Sequence, residues 1–222
     1  MLPERTIVYY TGNYEHPRLE ARVKRTLLRL IGDTPLISVS QKPIEFGKNI
    51  CVGEVGISSQ NAWRQLQIGA QAATTKFVCP AEADFVYPKE FFRFQPERED
   101  TFYCFLPVWI LVVVPGRARV FTEKSYGSEG AIIAGRQLLI DRIEVVLSGR
   151  GVFGASDVVG ARIPDLLNRK AVHKEVVHLS TPIISFKTDL NMHKRAPVRR
   201  GTSRRELPGI GTATAVIKRY MR

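Results

Sequence analysis

The sequence predicts an α/β fold, a mixed sheet flanked by helices, followed by a basic C-terminal extension. Three observations carry this. Residues 6–11 (Thr-Ile-Val-Tyr-Tyr-Thr), 35–40 and 77–79 are short β-branched or apolar runs bounded by Gly, Pro or polar residues, the pattern of buried strands. Stripes of helical period separate them: Leu19, Val23, Leu27 and Leu30, then Ala62, Leu66, Ala70 and Ala73. Finally, Lys194, Arg195, Arg199, Arg200, Arg204 and Arg205 fall in twelve residues that contain no acid.

Taken in order, the strand at 6–11 leads into a loop of Gly12, Asn13, Tyr14 and Glu15, and Pro17 suits the first turn of a helix that Gly32 ends. The strand at 35–40 follows, so strand, helix and strand make a parallel βαβ unit. Ligands of such sheets bind at the C-terminal ends of the strands, where the 12–15 and 41–43 loops would face one cleft. Residues 44–57 are glycine-punctuated, with a short strand at 49–52, and Ser58 or Ser59 caps the second helix. That helix delivers the chain to the strand at 77–79 and to Glu82 and Asp84. Beyond residue 90 the pattern predicts strands at 101–106, 109–114 and 117–122, a helix at 131–147, a mobile glycine-rich loop at 148–160, a helix at 166–170, a strand at 182–186 and a closing helix at 212–220. The expected division is one domain over 1–186, with a nucleotide-binding half (1–90) and a second half (91–186), and a basic tail over 187–222.

Composition narrows the function. The 222 residues, 44% hydrophobic, suffice for one large core. No apolar run approaches the roughly 18 residues of a membrane span, and residues 1–5 carry no signal-peptide core. Cys51, Cys79 and Cys104 lie far apart, without the close Cys or His pairs of a zinc site. A reducing cytoplasm fits them. The net charge of +12 implies a polyanionic partner, nucleic acid or an anionic surface.

Glu82 and Asp84 are the candidate centre. Two acids one residue apart at a strand's end can face one Mg²⁺ or Mn²⁺, which would share a nucleotide's diphosphate; the same spacing also suits a solvated acidic turn. Trp63 and Tyr87 read as core, and His16, His173 and His178 as structural or surface residues.

The order of short motifs resembles a known family. Tyr9-Tyr10-Thr11, residues 37–44 (Ile-Ser-Val-Ser-Gln-Lys-Pro-Ile), Gly47-Lys48-Asn49-Ile50, residues 59–65 (Ser-Gln-Asn-Ala-Trp-Arg-Gln) and Ala81-Glu82-Ala83-Asp84 are similar to GT-A type, family-2-like glycosyltransferases of bacteria and bacteriophages, whose metal motif reads Ala-Glu-His-Asp. The resemblance covers the first 110 residues and continues thinly, to residues 206–211 near the end. Ala83 stands where the group has His, and no His matches its C-terminal diphosphate or metal contact; Lys187 could hold the diphosphate there, or His193 reach back to the metal. The resemblance implies a GT-A mixed sheet, a nucleotide-sugar donor (most often a UDP-sugar), inversion at the anomeric carbon and a divalent metal on Glu82, Asp84 and His193. It also implies donor contacts from Thr11, Asn13, Glu15, Gln41, Lys42, Glu82 and Lys187, with Asp84 serving catalysis. Glu129, expected to open a helix, is the candidate base, and the alternative is a plain N-terminal helix acid favoured by the helix dipole. For the acceptor, the basic cluster 194–205 favours DNA carrying a hydroxymethylated pyrimidine. A cell-surface or lipid-linked glycan is the second reading, and a non-catalytic nucleic-acid-binding protein the third.

Overall fold

The computed structural model describes residues 4–124, 127–148, 172–191 and 198–221, the last segment by its backbone alone through 201. Its scaffold is a large mixed sheet. Four parallel strands form one side: β1 (Arg5–Thr11) lies between β2 (Leu36–Ser40) and β4 (Phe77–Glu82), and β3 (Lys48–Cys51) borders β2. Every residue of β1 is buried, as expected for a strand covered on both faces.

The period-two alternation of β1 sorts the layers. Ile7 and Tyr9 face the side of α1 (Pro17–Ile31) and α3 (Lys89–Arg93). Val8 and Tyr10 face α2 (Ser59–Ala72) and α4 (Arg136–Leu147). Pro17 starts α1, whose Leu19, Val23, Leu27 and Ile31 are buried, and Gly32 ends it at φ 55°. Ser58 caps α2 by accepting the Asn61 N–H. A Cβ at Gly69 would lie 2.3 Å from Val8 Cγ1, so only glycine lets α2 approach the sheet this closely.

The second half departs from the sequence expectation in instructive ways. The strands expected at 101–106 and 109–114 are one, β6 (Thr101–Val113), whose pairing register shifts around Pro107; proline is tolerated at such an irregularity. The hairpin partner expected at 117–122 is the later β7 (Phe121–Lys124). The helix expected at 131–147 is three elements: a 3-10 turn at Glu129–Ala131, β8 (Ile132–Gly135) and α4. Here tertiary pairing overrides the apolar period. β8 fills the slot between β4 and β6, with Phe77 opposite Gly135 and Phe102 opposite Ala134. The strand expected at 182–186 runs back to His173 as β9 (His173–Thr188), because its polar N-terminal half is an exposed extension paired in parallel with β6. β5 (Phe85–Val86) pairs β9 antiparallel.

Within the region expected as a basic tail, β10 (Val198–Arg204) pairs antiparallel with β7. A small hairpin of β11 (Glu206–Leu207) and β12 (Gly211–Thr212) then precedes α5 (Ala213–Met221). Val216, Ile217 and Tyr220 of α5 pack with Leu19 and Val23 of α1 and with Phe186 of β9. The loop expected at 148–160, apart from Ser148, and the helix expected at 166–170 lie outside the described residues. Cys79 and Cys104 are buried free thiols and Cys51 is exposed. Among the described residues, no helix is long and apolar enough to cross a membrane.

Candidate active site

The parallel strands end on one edge, and two loops are tied together there. Asn13, at φ 60°, accepts the backbone N–H groups of Gln41 and Lys42 at 2.8 Å each. Asn is one of the few residues that tolerate this conformation. Thr11 Oγ1 accepts the Asn13 N–H, and Gln65 donates to the carbonyls of Thr11 and Val39. Gln41 is buried and wholly engaged with the backbone of Val55 and Gly56. Thr11, Asn13 and Gln41, expected to touch a donor, thus shape the floor of the cleft with their side chains. Lys42 sits exposed on the rim in an ion pair with Glu54.

Beside this floor lies a cluster of acids around one ammonium. Glu82 ends β4, and Asp84 follows in the tight turn before β5, where its carbonyl accepts the Phe186 N–H at 2.8 Å. Lys187 Nζ on β9 donates to Asp84 Oδ2 at 2.6 Å. Asn191 Nδ2 donates to Glu15 Oε2 at 2.7 Å and lies 3.3 Å from Asp84 Oδ2. Its own Oδ1 is held by the Thr188 N–H at 2.7 Å. Glu129 enters from the other side. A Cβ at Gly130 would lie 2.5 Å from Glu82 Oε1, so glycine is what lets the 3-10 turn close on Glu82. Glu129 opens this turn and not an α-helix, which removes the dipole explanation for an acid at this position.

The electrostatics are those of too many carboxylates out of water. Burial, then the charges of Glu129 and Asp84, push the Glu82 carboxyl up to about 8. Burial, then Asp84, raise Glu15 to about 8 as well, against the pull of Lys187. Burial opposes the charge on Lys187, yet Asp84 and Glu82 hold its ammonium well above the ordinary lysine value. Among the described residues, Glu82 Oε1 and the Tyr10 hydroxyl are buried without a well-formed hydrogen bond, though the two groups act on each other, while Tyr87 Oη accepts the Glu82 N–H at 3.0 Å. Tyr87 and Trp63 are buried core side chains, and His173 and His178 are exposed on β9, as expected.

Folding stability should register this strain. Between about pH 4.5 and 8 the unfolded chain releases protons that Glu82 and Glu15 retain in the fold, so stability falls as pH rises through that window. Glu82→Gln should melt on the order of 5 °C above wild type at pH 8.5, and the gap should close at pH 5. Melting curves that run parallel at the two pH values would contradict it.

Glu82 and Asp84 are hard-oxygen donors, and the orphaned Glu82 oxygen is the kind of atom a cation satisfies. Among the described residues no group of three His, Cys, Asp or Glu side chains is arranged to hold a metal. The pair fits a Mg²⁺-type ion that takes one or two carboxylates and completes its shell with phosphate and water. His193, Lys194 and Arg195 lie outside the described residues. Arg199 and Arg200 fall on β10 at the sheet edge, and Arg204 and Arg205 are exposed. The sequence assigns no role to Asn191, Gly130 or Gln65, whose contacts with Glu15, Glu82 and Thr11 span 176, 48 and 54 residues of chain.

No family model and no curated protein matches the sequence. Solved structures do. The inositol-1-phosphate CTP transferase from T. maritima aligns over 87% of this chain and 93% of its own, with TM-score 0.54 and 8% identity. A glycosyltransferase involved in the glycosylation of the major capsid of PBCV-1 aligns over 79% and 82%, with TM-score 0.47 and 13% identity. Against the bifunctional IspDF from Campylobacter jejuni the chain covers 80% of itself and about half of that longer protein, at 50%, with TM-score 0.44 and 9% identity. The fold is a Rossmann-like mixed sheet, shared with the T. maritima transferase at TM-score 0.54, with the acidic cluster at the strand ends of that sheet.

Proposed function

We propose that this protein is a glycosyltransferase that moves a sugar from a nucleotide-diphospho-sugar, a UDP-sugar by preference, to a hydroxyl group, with inversion. The observation that carries the reading is the convergence of Glu82, Asp84 and Lys187 at the C-terminal ends of the parallel strands, where this class of sheet binds nucleotides.

In this reading Asn13, Gln41 and Thr11 fix the loops that receive the nucleoside, Lys42 meets it from the rim, and Glu15 and Asn191 position Lys187 and Asp84. The bond from the anomeric carbon to the diphosphate oxygen breaks with its electron pair leaving on the diphosphate. The acceptor oxygen forms its bond on the opposite face, and its proton passes to Glu129. Lys187, turning from Asp84 to the incoming phosphates, balances the developing charge. A divalent cation held by Glu82 and Asp84, when bound, would add positive charge at the same diphosphate. Its charge would also favour the ionised Glu82 over the protonated form that burial and Glu129 favour.

For the acceptor we favour a hydroxymethylated pyrimidine in DNA. The +12 charge suits a polyanion, and a base must leave the stack to be modified. The test is incubation with a panel of nucleotide sugars and hydroxymethylated duplex DNA, followed by digestion to nucleosides and mass spectrometry. A hexose-sized mass gain on the modified nucleoside is expected. Donor consumption with no nucleoside modified would keep the transferase and discard the DNA acceptor. Neither donor consumption nor transfer across the panel would discard the transferase.

A further inference from the structure

A second charged feature lies away from the acidic cluster. Helix α1 carries Arg22, Arg25 and Arg29 on one face, within about 60° of arc at 100° per residue. Across from them stands Arg219 of α5. These four side chains, with Thr26 and Tyr220, line a groove of about 360 Å³ between the two helices. All four arginines are exposed. Among the described residues none of the four lies within ion-pair distance of a carboxylate, and the contact Arg29 makes is with Thr26 Oγ1 at 3.4 Å. The acid of α1, Glu20, is turned into the core, where it accepts from Tyr9 Oη and pairs with Lys24. Like charges three and four residues apart destabilise a helix, so a row of them without counter-charges is costly unless it serves a ligand.

We propose that the α1/α5 groove binds the phosphate backbone of nucleic acid. Guanidinium forks match phosphate oxygens in pairs. At about 1.5 Å rise per residue, Arg22 to Arg29 spans roughly 10 Å, a length that suits successive phosphates of one strand and exceeds one small anion. The lining holds no exposed large apolar side chain of the kind a lipid surface would take up; Tyr220 is the buried floor. The groove also points at the reaction edge. Helix α1 begins at Pro17, two residues after Glu15, so a strand tracking the arginines toward that end arrives at the acidic cluster. This inference deepens the DNA-acceptor reading and rests on it for its biological meaning, but it predicts binding that needs neither donor nor turnover.

The test is fluorescence anisotropy of the full chain with an unmodified 30-base-pair duplex across a salt series. Each lost phosphate contact removes about 0.9 from the slope of log affinity against log salt. Changing Arg22, Arg25 and Arg29 together to Gln should flatten the slope by about 3 and weaken binding by about 10²-fold or more near 0.1 M salt. Circular dichroism should be unchanged, as should hydrolysis of a nucleotide sugar if the transferase reading holds. A charge-matched control, Arg117→Gln with Arg119→Gln and Arg142→Gln, should keep most of the slope. The proposal is overturned if the triple variant retains the wild-type slope, or if the control loses as much as the groove variant. It is also overturned if phosphatidylglycerol vesicles, and not DNA, lose their binding in the groove variant. Groove-dependent DNA binding with neither donor consumption nor sugar transfer across the donor panel would leave this site standing and remove the transferase reading.

Discussion

Asp84→Asn should lower glycosyl transfer by about 10²–10³-fold, the scale of losing one organised charge at a reacting centre, with the fold intact. The loop that carries Asp84 is held by its backbone, through the Phe186 N–H to the Asp84 carbonyl, so an isosteric amide need not move it. What changes is charge. Asp84 is 5% exposed and holds the Lys187 ammonium at 2.6 Å. An amide would leave that ammonium without its counter-ion and would give a diphosphate or its cation a weaker ligand. The loss should fall in kcat as well as in donor affinity, since both Lys187 and any cation act mostly on charge that develops as the diphosphate leaves. Near wild-type turnover in Asp84→Asn would show that this carboxylate has no part in handling the diphosphate.

The second large effect belongs to Glu129. Glu129→Gln should cut transfer by about 10²–10⁴-fold, the usual reach of a general base, while the dissociation constant for the nucleotide sugar stays within about twofold. The 3-10 turn at Glu129–Ala131 is fixed by Gly130 against Glu82 and by the Ala131 N–H bonded to the Ser128 carbonyl at 2.8 Å, so the amide should take the same place. An alternative base at Asp141 is disfavoured by position: it is exposed on α4 and accepts from Gln137 at 2.7 Å. Transfer that survives in Glu129→Gln would place the base elsewhere.

The sequence made the first half of the molecule legible because each signal there is local. β1, α1, β2 and α2 fall within a residue or two of where β-branched runs, Pro17, Gly32 and the Ser58 cap place them. The acid pair reads out for the same reason, as carboxylates interrupting an apolar strand at its end. The second half hides its pairings. Ile132, Ile133 and Ala134 fit a helical stripe as well as a strand, and only the slot between β4 and β6 decides. The N-terminal half of β9 is polar because it is solvent-exposed, so no hydrophobic period announces it. In the site, Lys187 stands out by its place in a family-like segment and Asp84 by the acid pair, but their pairing does not show in the sequence, because the Lys187–Asp84 contact joins residues 103 apart in the chain. Asn191, which ties Glu15 to Asp84, looks like any loop asparagine. The basic groove was half visible: the period of Arg22, Arg25 and Arg29 is in the sequence, while Arg219 joins them only once α5 packs on α1.

The central claim, that the acid–lysine cluster is a diphosphate site, is tested most directly by calorimetry with uridine, UMP, UDP and a UDP-sugar, with and without Mn²⁺. The same titrations on Lys187→Gln, and on Lys187→Gln with Asp84→Asn to avoid a stranded buried charge, separate binding from folding. The account predicts that UDP binds at least tenfold more tightly than uridine. It predicts that most of this gain is lost in both variants, and that Mn²⁺ strengthens the wild-type complex through Glu82 and Asp84. Equal affinity for uridine and UDP, or a UDP preference untouched by the loss of Lys187 and Asp84, would contradict it.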